Sequence, residues 1–185
     1  GGFSRSYACI CNHMGVPFLE EVAWDVDTIY LSNDTKEFNI QDFDHLEPRE
    51  LIPIVATLEY NAWFTKLVCE SYRMSAEILD VIARVIKRST TMVEVVLDGV
   101  SLGRDFCQKL ATALTSNSKS AVERIDLSRN PSAEDRGIVH LVGSFSKLSH
   151  GLDSINLHET GITNKGASTL GQMLKSSKYM STSLT

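Results

Sequence analysis

Met92-Val93-Glu94-Val95-Val96-Leu97-Asp98-Gly99-Val100-Ser101-Leu102 places apolar side chains at relative positions 1, 4, 6, 9 and 11, namely Met92, Val95, Leu97, Val100 and Leu102. Val122, Ile125, Leu127 and Asn130 repeat the first four positions, and Leu152, Ile155, Leu157, Thr160 and Ile162 fill the frame again with Thr at the ninth. With the second position as the marker, the copies fall at Val95, Ile125 and Ile155, evenly spaced along the chain. Alternation of this kind is that of a strand with one buried face, and its regular return marks one unit stacked on the next.

The spacing is that of a leucine-rich repeat. Upstream, Phe64, Leu67, Cys69, Tyr72 and Met74 form a copy whose marker, Leu67, precedes Val95 by nearly the same interval. Val26, Ile29, Leu31 and Asp34 read as a first copy with Ile29 as its marker, and the longer gap from Ile29 to Leu67 is an irregularity of the kind end repeats show. Between these strands lie helical stripes: Ile78, Leu79, Ile82, Val85 and Ile86; Phe106, Leu110 and Leu114; Ile138, Leu141, Val142 and Phe145; Leu170, Met173 and Leu174. Pro48 is placed to open a further helix carrying Leu51, Val55 and Leu58, with Pro53 expected to delay or kink it.

One strand and one helix per repeat predict an α/β, ribonuclease-inhibitor-like leucine-rich-repeat solenoid, with a curved parallel sheet on the concave side and helices on the convex side. Residues 1–23 are expected to form a linker or N-terminal cap segment, and residues 24–185 a repeat domain of about five copies. Ser183, Leu184 and Thr185 read as the opening of a sixth copy, so the natural solenoid is expected to continue. Gly1-Gly2 supplies neither an initiator Met nor a signal peptide, which also suggests a piece of something longer.

Composition narrows the function. The net charge is −5, with 23 acidic against 18 basic residues and no run of five like charges, which argues against nucleic-acid binding and against a polybasic membrane patch. Cys9, Cys11, Cys69 and Cys107 are too few and scattered for a disulfide framework, and a reducing cytoplasm fits them. No apolar stretch is long enough to span a bilayer.

In this register the strands turn alternate side chains onto the concave face: Lys66, Val68 and Glu70; Glu94, Val96 and Asp98; Arg124, Asp126 and Ser128; Ser154, Asn156 and His158. Four acids (Glu70, Glu94, Asp98 and Asp126) against two bases (Lys66 and Arg124) make a mildly acidic surface that favours a basic partner segment. The alternative is a solvated face without a partner, since every solenoid displays something there. Protein-binding candidates are Lys66, Glu70, Glu94, Asp98, Arg124, Asp126, Asn156 and His158.

Signals for chemistry are weak. Cys9, Cys11 and His13 alternate at a spacing unlike that of zinc sites and lack a second ligand pair. His13, His45, His140, His150 and His158 fall in different elements without a nucleophile at a motif spacing, and the glycines are scattered as turn residues instead of forming a phosphate loop. Glu20, Glu21, Asp25 and Asp27 flank Trp24 and read as edge charges that discourage strand pairing. No cofactor, metal or catalytic residue is expected.

A more specific signal lies in the first third. Trp24-Asp25-Val26-Asp27-Thr28-Ile29-Tyr30-Leu31, Asn39-Ile40-Gln41-Asp42-Phe43, Leu51-Ile52-Pro53, Leu58-Glu59-Tyr60-Asn61 and Trp63-Phe64-Thr65 closely resemble the CARMIL family of leucine-rich-repeat regulators of actin capping protein. Gly1-Gly2-Phe3 with Tyr7-Ala8-Cys9 resembles that family's linker into the repeats, and Asp105-Phe106-Cys107-Gln108-Lys109-Leu110-Ala111 its helix in the following copies. The resemblance implies a cytoplasmic, cytoskeletal protein recruited to the plasma membrane, where it controls barbed-end capping during protrusion and cell migration. It also implies a pleckstrin-homology domain before the repeats, and after them a helical dimerisation segment and a tail that binds capping protein. For this segment it implies a non-catalytic spacer and docking platform. One departure is that Asn, whose amide satisfies backbone groups in the turn, holds the ninth position only at Asn130; Asp34, Tyr72, Val100 and Thr160 stand in the other copies.

Two other readings remain open from the residues. Repeats of this length also resemble the ligand-gripping repeats of innate-immune receptors and ribonuclease inhibitor, and a GTPase-activating solenoid is a third possibility that lacks an evident Arg-Asn loop motif here.

Overall fold

A computed structural model describes residues 2–148, 151–176 and 183–184. His150, Thr185 and the side chain of Leu174 lie outside the described residues. In chain order the elements are α1 (Phe3–Met14), α2 (Glu20–Trp24, continuing as a π-helical turn over Asp25–Tyr30), β1 (Glu37–Asn39), α3 (Pro48–Thr57), β2 (Lys66–Glu70), α4 (Ala76–Arg88), β3 (Glu94–Asp98), α5 (Arg104–Ser116), β4 (Arg124–Asp126), α6 (Glu134–Ser144), β5 (Ser154–Asn156), α7 (Asn164–Ser176) and β6 (Ser183–Leu184). The six strands form one sheet in sequential order, every pair parallel. This is the α/β solenoid expected from the repeat.

The register is shared along the sheet. Glu37, Lys66, Glu94, Arg124, Ser154 and Ser183 lie side by side, so the chain returns to the sheet at nearly constant intervals. Beside them run the inward markers Phe38, Leu67, Val95, Ile125 and Ile155, all buried. Each layer closes the one before it, and burying such a side chain stabilises by about 1.5–3 kcal/mol.

The helices follow from their sequences. Ser75 caps α4 by accepting the Ile78 N–H at 3.3 Å, Glu77 sits in the first turn and Lys87 and Arg88 in the last, all in keeping with the helix dipole. Its buried stripe contains Ile78, Leu79, Ile82, Val85 and Ile86, as the spacing predicts. Pro48 opens α3, where Glu47 and Glu50 form a capping box. Pro53 stands inside the helix without delaying its start. The carbonyl it leaves without an intrahelical donor belongs to Arg49, an exposed residue of the first turn that water can reach.

The first repeat differs from expectation. Val26, Ile29 and Leu31 are helical, and the first strand is β1, in which Phe38 and not Ile29 is the marker paired with Leu67. The irregular first interval thereby disappears. The reason is visible in the burial: Val22, Val26 and Tyr30, four apart, point inward, while Ile29 is exposed. Phe38, Ile40 and Phe43 occupy the frame instead, so Phe43 and not Asp34 holds the ninth position. The carboxylates around Trp24 are accordingly helical surface charges, not strand-edge charges.

Residues 3–14 are helical, and their inward face of Phe3, Tyr7 and Cys11 joins the core. Beneath β1 that core is aromatic: Phe38 packs edge-on to Phe64 at 5.1 Å between ring centroids and is stacked with Phe43 at 5.6 Å and Phe3 at 6.0 Å. Large rings thus fill the layer between α1 and β1.

Behind β2, β3, β4 and β5 the backbone turns through a left-handed residue at an equivalent place: Ser71, Gly99, Arg129 and Glu159, with φ of 53°, 63°, 55° and 53°. The Ser71 N–H donates to the Asp98 carbonyl at 2.8 Å, Gly99 to Ser128 at 2.9 Å and Arg129 to His158 at 2.8 Å, so these three turns are each tied to the next. Asn130 adds a side-chain clamp. Fully buried, it accepts the Val100 and Leu102 N–H groups at 3.0 and 3.2 Å and donates to the carbonyls of Leu97, Leu127 and Ser128 at 2.7–2.9 Å. Thr160 takes a lesser share, its hydroxyl donating to the Leu157 carbonyl at 2.7 Å.

Candidate functional site

Parallel pairing in register puts equivalent residues of successive repeats next to one another, so the concave face is a set of rows. The row of Glu37, Lys66, Glu94 and Arg124 alternates in sign. Lys66 Nζ lies 3.0 Å from Glu37 and 3.4 Å from Glu94, and Arg124 Nε lies 2.9 Å from Glu94. Burial opposes ionisation of Glu94, but hydrogen bonds and attraction from Arg124 and Lys66 outweigh it and hold the carboxyl below its usual range. The hydrogen bond that Lys66 donates to Glu37 pushes its ammonium pKa up against partial burial.

The next row holds Val68, Val96, Asp126 and Asn156. Val68 is only 5% exposed, so it belongs to the core instead of the displayed surface. Asp126 accepts the Ser128 N–H at 2.8 Å, the Ser128 hydroxyl at 2.6 Å and the Asn156 amide at 2.8 Å. Ser128, expected outside, is likewise 5% exposed, because its hydroxyl turns back onto Asp126.

The third row runs through Glu70, Asp98 and His158. Glu70 is exposed, its N–H bound to the Gln41 side chain at 3.1 Å. Arg129 from the following repeat grips Asp98 bidentately, and that hydrogen bond keeps the Asp98 carboxyl below its usual range. His158 is exposed beside Glu159, Nε2 to Oε1 3.2 Å, and its N–H donates to Asn156 Oδ1 at 3.0 Å.

All eight candidates therefore lie along one sheet face, but their charges are largely spent on each other. Of the four acids, Glu94 and Asp98 are neutralised by cations of neighbouring repeats, leaving Glu70 and Asp126 as the acidic character. Sequence reasoning passed over Glu37 and Arg129. Glu37 was hidden by the misplaced first strand, and Arg129 lies one residue past the alternating positions, where the left-handed turn swings it back over the sheet. A repeat alignment showing Arg129 one place after the row of Asp98 was the available signal.

The other candidates do not assemble into chemistry. Helix α1 sends Cys11 inward and leaves Cys9 and His13 exposed. Burial pushes the Cys69 thiol up to about 12 and the Cys107 thiol up to about 11. Among the described residues no group of three or more His, Cys, Asp or Glu side chains is placed to hold a metal ion, and no helix is long and apolar enough to cross a membrane.

Known proteins share both the sequence and the architecture. Human "Capping protein, Arp2/3 and myosin-I linker protein 3" is 41% identical over 184 residues, covering all of this chain and 13% of the relative. "Protein CARMIL" of Dictyostelium discoideum is 31% identical over 157 residues, covering 84% of this chain and 15% of the relative. The chain thus spans only a small part of the length of such relatives. Among solved structures, "Leiomodin-1 Actin-Binding Site 2 (ABS2)" matches with a TM-score of 0.65 at 15% identity, covering 82% of this chain and 87% of the other, which shows the shared fold. The family described as "CARMIL family, LRR domain" matches residues 1–185, and the chain belongs to that family.

Proposed function

We propose that this chain is a non-catalytic interaction segment of a regulator of actin capping protein, holding partner-binding parts of a longer protein in fixed relation. The observation that carries the reading is the family match along the whole chain, with 41% identity to a relative named for capping protein. The architecture agrees: a stack closed by turn-to-turn hydrogen bonds is stiff along its axis, and its concave charges are paired instead of poised for proton transfer. In this reading the whole protein is cytoplasmic and cytoskeletal, is recruited to the plasma membrane, dimerises and engages capping protein through segments other than this one. The concave face carrying Glu70, Asp126, Asn156 and His158 is the surface proposed to receive a protein partner.

The test is a barbed-end elongation assay with capped actin filaments. The isolated chain is expected to leave capping unchanged, whereas the full-length protein relieves it. Robust uncapping by the isolated chain would place the activity in these repeats and overturn the scaffold reading.

A further inference from the structure

The helical run from Glu20 to Tyr30 turns Val22, Ala23, Val26 and Tyr30 into the core. Its outward side carries Trp24, 59% exposed, and Ile29, 41% exposed. Over Asp25–Tyr30 the backbone is π-helical, a geometry that bonds residues five apart and so brings Ile29 into the same outward sector as Trp24. π-Helical turns are frequent at functional sites, and Trp is enriched among the residues that carry the binding energy of protein interfaces. A large aromatic and a β-branched aliphatic held outward together form an apolar centre that water covers poorly.

The surroundings say what would cover it. Glu20, Glu21 and Asp27 are exposed and Asp25 half-buried, and no Lys or Arg occurs between Arg5 and Lys36. On helical spacing Glu20 precedes Trp24 by four positions and Asp25 precedes Ile29 by four, so carboxylates flank the apolar pair along the axis. Unlike Glu94 and Asp98 on the concave face, Glu20, Glu21 and Asp25 have no Lys or Arg within salt-bridge reach among the described residues; His45 lies 3.7 Å from Glu21. We propose that this face docks a short, basic, amphipathic segment of a partner protein, with apolar side chains on Trp24 and Ile29 and Lys or Arg on Glu20, Glu21 and Asp25. An anionic membrane is the wrong counterpart, because the same carboxylates would be pressed against lipid phosphates.

The experiment uses the isolated chain and two fluorescent probes: a short helical peptide of leucine and lysine, and its counterpart with glutamate for lysine. Fluorescence anisotropy is expected to show the lysine peptide binding at least about tenfold more tightly than the glutamate peptide, and more weakly at high salt. Trp24→Ala is expected to weaken it about tenfold or more. The triple variant Glu20→Gln, Glu21→Gln and Asp25→Asn is expected to do the same with an unchanged circular dichroism spectrum; its substitutions are all isosteric, so it decides the matter if Trp24→Ala perturbs the fold. Equal binding of the two peptides, or undiminished binding by the triple variant, would overturn the proposal. So would a blue shift of tryptophan emission on phosphatidylserine vesicles without peptide binding, or loss of binding in Glu70→Gln, Asp126→Asn instead.

Discussion

Arg129 clasps Asp98 of the preceding repeat through two parallel hydrogen bonds of 2.5 Å, Nε to Oδ1 and Nη2 to Oδ2. The pair joins a left-handed turn residue of one repeat to the last strand residue of another, so it reports on how the repeats are stacked.

The pH dependence follows from it. The folded carboxyls of Asp98 and Glu94 titrate below their unfolded range, so their stabilisation is present at neutral pH and lost as pH falls below about 4 through the folded values. Melting temperature measured against pH should therefore drop on the acid side, and Asp98→Asn should flatten that drop. An acid limb of equal steepness in the variant would show that the pair contributes nothing.

Asn130 should be among the most sensitive positions. Asn130→Ala leaves buried turn groups of two repeats without partners, at a cost of about 3 kcal/mol in urea unfolding. Asn130→Asp retains the two acceptor contacts but sets a charge against the carbonyls of Leu97 and Leu127, and should be no milder.

Two backbone substitutions should have opposite signs. Gly161 has φ of 75°, and a Cβ there would meet the Pro131 carbonyl oxygen at 2.3 Å, so Gly161→Ala should destabilise by about 2 kcal/mol. Glu134, with φ of 54° and ψ of 168°, sits where only glycine is comfortable, so Glu134→Gly should stabilise by about 1 kcal/mol. Thermal melts of the two variants on either side of the parent would bear this out.

The strand register is tested by a pair of variants. Leu127 is fully buried between repeats, so Leu127→Asp adds an unpaired buried charge costing several kcal/mol, about enough to unfold its neighbourhood. Arg124→Ala, on the outward side, should change stability by about 0.5 kcal/mol or less, because Glu94 keeps Lys66. Equal thermal losses would contradict the register.

Thiol labelling offers a further check. Cys9 is exposed, whereas Cys11, Cys69 and Cys107 are buried and burial raises their thiol pKa values. Mass spectrometry after brief native alkylation at mildly alkaline pH should find the label on Cys9, with all four cysteines modified in denaturant.

Much of the fold was legible because burial in a repeat is a one-dimensional signal. Val95, Ile125 and Ile155 announce their shared layer through spacing alone, and Asn130 announces its turn through the chemistry of its amide. The first repeat was not legible in the same way. Val26, Ile29 and Leu31 imitate the strand frame, and only the packing of Val22, Val26 and Tyr30 beneath α1 and β1 settles that the segment is helical.

Residue order was enough to set the stacking axis, the alternation of strands and helices after the first repeat, and most of the side chains on the concave face, though not Glu37 and Arg129 or the burial of Val68 and Ser128. What those side chains do to each other came from the assembled fold. Glu94 meets Lys66 and Arg124 because crossovers of nearly equal length bring the strands back in register, and Arg129 reaches Asp98 because its own backbone is left-handed. A charged residue's partner depends on where distant segments come to rest. Within the regular repeats an apolar residue's burial follows from the local period, which is why one could be read and the other had to be seen.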